Sequence, residues 1–273
     1  SIPERKPSTV FRYNESAGIS SLDPAFARNQ ANIWACHQIF NGLVRMDDQL
    51  RVKPDLAQSW EVLDSGRVYL FQLREDVFFH PHPCFGADST RKVVAQDVVY
   101  SLNRLRNPDL AAPGAWVLNN VLNIEALGAN RVKITLKEAF APFLGILSMK
   151  YCSVLAKEAI DFYGNEFGQN PIGTGPFKFK LWLENEKLIL RKHTNYFQKD
   201  EEGNRLPYLE AIAVSFINDK QSAFLEFLKG NLDFLSGLDA SNKDELLDQE
   251  GNLRLKYQEQ FNIYRQAYLN TEY

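Results

Sequence analysis

Asn170-Pro171-Ile172-Gly173-Thr174-Gly175-Pro176-Phe177 is the stretch on which the fold turns. Two glycines one residue apart supply backbone conformations that side chains forbid, and Pro176 fixes the entry into a strand. A phosphate-binding loop would need Lys-Ser or Lys-Thr after the last glycine and then a helix. Here Pro176-Phe177-Lys178 leads into strand-like sequence on both sides of Asn185, so that reading fails.

Downstream, Ala211 to Phe216 reads as a strand, Gln221 to Leu228 as a helix closed by Gly230, and Phe234-Leu235 as a short strand. A helix near Lys243 to Leu247 follows, and Leu253–Tyr257 and Phe261–Leu269 read as closing strands. Upstream, Thr9 to Tyr13 alternates as a strand, and Ser21-Leu22-Asp23-Pro24 forms a loop. Apolar residues from Ala25 to Leu43 recur near helical spacing, with His37 expected inside and Gly42 expected as a left-handed cap. Trp60 to Leu63 and Val68 to Leu73 flank Asp64-Ser65-Gly66 as a hairpin, with Trp60 and Phe71 as core. A helix over Val94 to Leu105 capped by Asp97, a strand over Arg131 to Leu136, and a helix from Phe140 to Met149 opened by Pro142 complete the middle. Strands alternating with helices at both ends of a hairpin-rich middle predict an α/β domain interrupted by an inserted α+β domain. The expected division is 1–40 plus 165–273 for the discontinuous α/β lobe and 41–164 for the insertion.

The 273 residues are 45% hydrophobic and 24% charged with a net charge of -3, a balance with no footprint for nucleic acid or an anionic membrane. No apolar run is long enough to span a bilayer, and Ser1 to Pro7 carries no export signal, which leaves the compartment open. Cys36, Cys84 and Cys152 allow one disulfide and form no C-x-x-C metal framework.

A collinear series of motifs resembles the oligopeptide, dipeptide and nickel binding proteins of bacteria, solute-binding protein family 5. Its members include Ser21-Leu22-Asp23-Pro24, Pro54-Asp55-Leu56-Ala57-Gln58-Ser59-Trp60, Phe71-Gln72-Leu73-Arg74 and Ala95-Gln96-Asp97-Val98. Asn170 to Phe177, Asn195-Tyr196-Phe197, Gly230-Asn231-Leu232-Asp233 and Tyr268-Leu269-Asn270-Thr271 continue it in order. The departure is His80 to Ser89, a longer loop where the family has a short turn.

The resemblance implies a class II periplasmic-binding-protein-like lobe with the inserted α+β domain, and an excised N-terminal portion whose C-terminal lobe is absent. It implies capture of a peptide or similar small solute by hinge closure, delivery to an ABC transporter permease, no cofactor and no enzyme activity. Export to the periplasm follows, either free or through a lipid anchor preceding Ser1. By the same resemblance the solute-facing residues are Arg28, Asn29 and Gln30 after Pro24, Trp116 on the Pro113-Gly114 loop, and Ser236, Gly237 and Leu238 after the Phe234 strand. Two rival readings stand beside it: a metal or thiol enzyme built on His80, His82 and Cys84, and a protein-interaction module.

Overall fold

In a computed structural model describing residues 9–236 and 238–263, the chain opens with β1 (Val10–Asn14), a 3-10 turn at Pro24–Phe26 and α1 (Gln30–Ile39). It continues through β2 (Val44–Met46), β3 (Val52–Pro54), β4 (Ala57–Leu63), β5 (Val68–Leu73) and α2 (Ala95–Arg106). Next come β6 (Val121–Ala126), β7 (Arg131–Leu136), α3 (Phe143–Leu147) and α4 (Lys157–Tyr163). The described part ends with β8 (Phe177–Leu183), β9 (Lys187–Lys192), β10 (Ala211–Ser215), α5 (Lys220–Leu228), α6 (Ala240–Leu246) and α7 (Leu255–Gln258). Among the described residues no helix is long and apolar enough to cross a membrane.

Two four-stranded sheets organise these elements. One has the order β1-β10-β9-β8, with β1 parallel to β10 and the other pairs antiparallel. The other, β4-β5-β7-β6, is wholly antiparallel, and β2 and β3 form a small separate ladder. The first sheet therefore takes its strands from two stretches that flank the second sheet in sequence. Period-two patterning explains the second sheet: Tyr69, Phe71 and Leu73 of β5, and Val132, Ile134 and Leu136 of β7, all point into the core. Val98, Leu102 and Leu105 bury one face of α2, which packs on β6 and β7. Full burial of each such side chain stabilises by roughly 1.5–3 kcal/mol.

One apolar cluster runs without a break from Leu22 through the second sheet to Phe216. A smaller one, around Phe224, Leu246 and Tyr257, sits under α5 to α7.

Several expectations change. α1 starts at Gln30 rather than near Ala25, because the 3-10 turn after Pro24 and the Asn29 cap intervene. His37 is exposed on α1 rather than buried, and the nearby Lys150 charge lowers its imidazole to about 4. Gly42 makes no left-handed cap; the helix ends at extended Phe40, and a Cβ on Gly42 would make only ordinary contact with the carbonyls of Leu147 and Cys152. Trp60 is only half-buried, packing against fully buried Phe71 at 6.5 Å between ring centroids. All three cysteines are free.

Leu253 to Tyr257 forms no strand but a single bridge at Leu253 and the short helix α7. Five alternating residues also fit one helical turn, and here that turn exposes Leu255 while burying Tyr257 against the smaller cluster. Of the expected strand Phe261–Leu269, Phe261 to Ile263 is irregular and residues 264–273, with the Tyr268 to Thr271 motif, lie outside the described residues.

Candidate functional site: exposed loops on a buried junction

The Gly173–Gly175 segment lies across the C-terminal end of α1. Gly175 N donates to the Ile39 carbonyl at 2.8 Å. A Cβ on Gly173 would sit 2.1 Å from the Ile39 carbonyl oxygen, and one on Gly175 would sit 2.5 Å from that of Gln38. Neither glycine has a positive φ. The requirement is therefore space against a neighbouring backbone, not the forbidden conformations expected from sequence. Between them, Thr174 Oγ1 donates to Asn41 Oδ1 at 3.0 Å, while Asn41 Nδ2 donates to the Asp55 carboxylate at 3.0 and 3.1 Å. Gln198 Nε2 adds a bond to Asp55 at 3.2 Å. Burial raises the Asp55 carboxyl above its ordinary value, against the pull of the Lys150 charge and the Asn41 bond.

Two histidines close the same junction. The Gly173 N–H donates to His80 Nδ1 at 3.3 Å, so His80 carries its proton on Nε2 and donates to the Gly175 carbonyl at 2.9 Å. His193 Nδ1 donates to that same carbonyl at 3.2 Å, and the two rings meet edge to face at 4.8 Å. Burial lowers His80 to about 3 and His193 to about 4. Both rings are neutral donors at physiological pH. His82 has a different environment: Nδ1 accepts from Cys84 N at 3.1 Å, and Nε2 is 2.8 Å from the Tyr163 hydroxyl. The Cys84 thiol is pushed up to about 11 by burial and then by the Glu158 charge, away from the nucleophilic thiolate form. His80, His82 and Cys84 thus serve three different local contacts. Among the described residues no group of three or more His, Cys, Asp or Glu side chains is placed to hold a metal.

At the other end of α1 lies the loop expected to face solute. Ser20 bonds Asn32 through Oγ at 2.9 Å, Leu22 N donates to the Gly168 carbonyl at 2.8 Å, and Asp23 Oδ1 caps the 3-10 turn at Ala25 N, 3.0 Å away. Arg28, Asn29 and Gln30 emerge from this anchored loop and are all exposed. Asn29 spends its side-chain oxygen on capping α1, accepting from Asn32 N at 2.9 Å. Arg28 has no ion pair within the described residues.

Ser236 and Leu238 belong to a second loop. Tyr13 bridges Phe234 in parallel, and Asp233 accepts from Arg12 N at 2.8 Å, so the loop after Phe234 leaves the sheet at the end where β1 does. This accounts for the Gly230-Asn231-Leu232-Asp233 motif: Gly230, at φ +83°, ends α5, and Asp233 clips the chain to β1. Ser236 and Leu238 line a recess of about 120 Å³ with Asn14, Glu15, Lys220 and Asn242. It lies at the carboxyl ends of parallel strands, where open α/β sheets bind ligands. Gly237 lies outside the described residues. Arg28, Asn29 and Gln30 do not line the recess, although the same β1 exit loop leads to both.

Trp116, 54% exposed, stands on a 3-10 turn at Ala115–Leu118. Its loop is seated on Tyr151, since a Cβ on Gly114 would fall 2.2 Å from the Tyr151 ring. The turn Lys150–Cys152 also packs against the 3-10 turn at Pro24–Phe26 and against α1. It therefore joins the base of the Trp116 loop to the base of the Arg28 loop. Tyr151, Asn14 and Lys220 were not among the residues expected from sequence. The Pro113-Gly114 pair was the available sign for Tyr151, because glycine beside a loop aromatic marks a close approach. A larger groove, about 1250 Å³, runs between α2 and α4 and contains none of the expected solute-facing residues.

The first sheet, its parallel strand ends and the two loops leaving them define a lobe of the periplasmic-binding-protein class. Residues 51–273 match the family model for bacterial extracellular solute-binding proteins, family 5, middle region, and the chain belongs to that family. It is similar to the glutathione-binding protein GsiB of Salmonella typhi, 27% identical over 218 residues that make up 80% of this chain and 40% of that protein. Among solved structures, the periplasmic binding protein DppA of Helicobacter pylori in complex with the peptide STSA aligns with a TM-score of 0.78 and 29% identity, over 87% of this chain and 48% of that one. NikZ of Campylobacter jejuni in complex with Ni(L-His) aligns at 0.69 and 27% identity, over 84% and 43%. The chain thus spans less than half the length of each of these relatives.

Proposed function

We propose that this chain is the part of an ABC importer's solute-binding component that presents one wall of the solute cleft, and that the solute is a short peptide or peptide-like molecule. The wall consists of Arg28, Asn29 and Gln30, Trp116, and Ser236 and Leu238. The observation that carries this reading is the seating of the Pro24–Phe26 turn and the Trp116 loop on one short turn, Lys150–Cys152, beside loops that leave the same end of a parallel strand pair. A charged guanidinium, amide groups and an indole suit a peptide's carbonyls, carboxylate and side chains. The recess at Ser236 is too small for a whole peptide and suits one terminal group, since drug-sized ligands need roughly 300 Å³ or more. We further propose the division into a lobe of residues 1–40 plus 165–273 and an insertion of 41–164. Delivery to a membrane permease and residence in the periplasm, free or lipid-anchored, complete the reading.

The test is calorimetry of the full-length protein against the peptide Ser-Thr-Ser-Ala, reduced glutathione, Ni(L-His) and a mixed tripeptide library. Saturable binding of a peptide or of glutathione supports the reading. Binding of Ni(L-His) alone moves the solute class to metal chelates, and binding of nothing in the panel overturns capture of these solutes.

A further inference from the structure

Arg104 reaches from the last turn of α2 to the loop between β1 and α1, ending on Asp23. Nη2 donates to Asp23 Oδ2 at 2.7 Å and Nη1 to Oδ1 at 3.2 Å, a two-pronged pair in which the side chains are only 13% and 6% exposed. The guanidinium also lies 5.9 Å from the centre of the Phe167 ring. Asp23 is at the same time the cap of the Pro24–Phe26 turn, so one carboxylate both receives Arg104 and shapes the chain that leads into Arg28. Beneath it, Gly168 presses on the loop: a Cβ there would meet Ser21 Oγ at 2.6 Å. From Asp23 the turn runs on through bonds from Phe26 N to the Asp23 carbonyl at 3.0 Å and from Arg28 N to the Phe26 carbonyl at 2.8 Å, and Asn29 then caps α1.

We propose that Arg104 is a positioning residue for solute capture, holding Asp23 so that the loop carrying Arg28, Asn29 and Gln30 is already in its binding shape before solute arrives. This rests on the wall proposed above. A loop ordered in advance saves the entropy that solute would otherwise spend ordering it. The planar guanidinium fork matters as much as the charge, because a lysine ammonium cannot span both carboxylate oxygens in one plane. Arg104 also lines the groove between α2 and α4, which gives that groove a direct mechanical connection to the wall.

The experiment uses the full-length protein and the variants Arg104→Lys, Asp23→Asn, Arg28→Ala and Arg28→Ala/Arg104→Lys. Hydrogen exchange at the amides of residues 20–30 needs no solute. It is expected to accelerate roughly tenfold in Arg104→Lys and Asp23→Asn while β5 and β7 keep wild-type protection. For whichever of Ser-Thr-Ser-Ala or glutathione the wild type binds, affinity is expected to fall roughly tenfold in Arg104→Lys, and the double variant to lose less than the two single losses combined. Unchanged exchange over 20–30, equal acceleration through β5 and β7, or strictly additive losses would each overturn the positioning role. A wild type that binds neither probe overturns the capture reading instead, and the exchange measurement then decides the role of Arg104 by itself.

Discussion

The two ends of α1 are held in opposite ways. At its C-terminal end Gly173 and Gly175 lie so close to the Gln38 and Ile39 carbonyls that neither can carry a side chain, and buried bonds from Thr174, Asn41, His80 and His193 surround them. At its N-terminal end Arg28, Asn29 and Gln30 stand in the open, shaped at a distance through Asp23 and Arg104. The first arrangement fixes how the chain leaves and re-enters the first sheet. The second leaves the Arg28 and Gln30 side chains exposed while Asn29 caps the helix. If the proposed wall captures solute, stability and recognition fall at different ends of one helix, and substitutions at the two ends should separate them.

The largest effect belongs to the junction. Gly173→Ala places a Cβ against the Ile39 carbonyl, and is expected to cost roughly 3 kcal/mol or more, measured by denaturant unfolding. Gly18→Ala, where φ is +67° but nothing lies near, should cost only about 1 kcal/mol. Equal losses at the two glycines would break the claim that close approach decides the junction.

Acid is the next lever. His80 and His193 sit at about 3 and about 4 in the fold, against an ordinary value of 6.5 in the unfolded chain. The unfolded state therefore binds more protons in this window, and stability, full above pH 6.5, is lost as pH falls through it towards 4 and 3. Melting temperature followed from pH 7.5 to 4 should drop along that limb, and His80→Gln should flatten it. A limb of the same steepness in His80→Gln would assign the acid sensitivity to other groups.

A smaller loss is expected from Thr174→Val, which removes the bond to Asn41 Oδ1 and should cost about 1–2 kcal/mol in the same unfolding experiment. The smallest stability effects lie on the wall. Arg28→Ala and Trp116→Ala should each change stability by no more than about 0.5 kcal/mol. Their solute affinity, read by calorimetry, should fall roughly tenfold or more. This inversion, little stability lost and much affinity lost, sharpens the contrast between the two ends of α1.

How much of this was legible in the sequence follows the same contrast. Tight backbone geometry leaves marks: Gly173, Gly175 and Pro176 announced a junction, and Asp97 announced the start of α2, where its carboxylate accepts from Val94 N at 2.9 Å. Period-two runs gave β5 and β7 because one face of each is buried. Where a short run fitted two periods, as at Leu253 to Tyr257, packing against Phe224 and Leu246 decided in favour of a helical turn. The reason behind a residue was harder to read than its importance. Gly173 and Gly175 are needed for space and not for conformation, which depends on the Gln38 and Ile39 carbonyls far away in sequence. His80 looked like a candidate metal ligand until its partners appeared on the Gly173–Gly175 backbone, some 95 residues later in the chain.

The wall was least legible. An exposed Arg, Asn or Gln has no packing constraint to record, and its selection came from resemblance alone. Tyr151, which seats the Trp116 loop, and Arg104, which pins the Asp23 loop, act through contacts 37 and 81 residues away in sequence, beyond any periodicity.

The most direct test is hydroxyl-radical footprinting of the full-length protein, with and without saturating amounts of the solute that calorimetry identifies. Solute should slow oxidation of Trp116 several-fold and protect the segment holding Arg28, while Phe162, comparably exposed at 58% but outside the wall, keeps its rate. Trp116 and the Arg28 segment labelled at unchanged rates under full occupancy would contradict the account, and would place solute capture elsewhere on the protein.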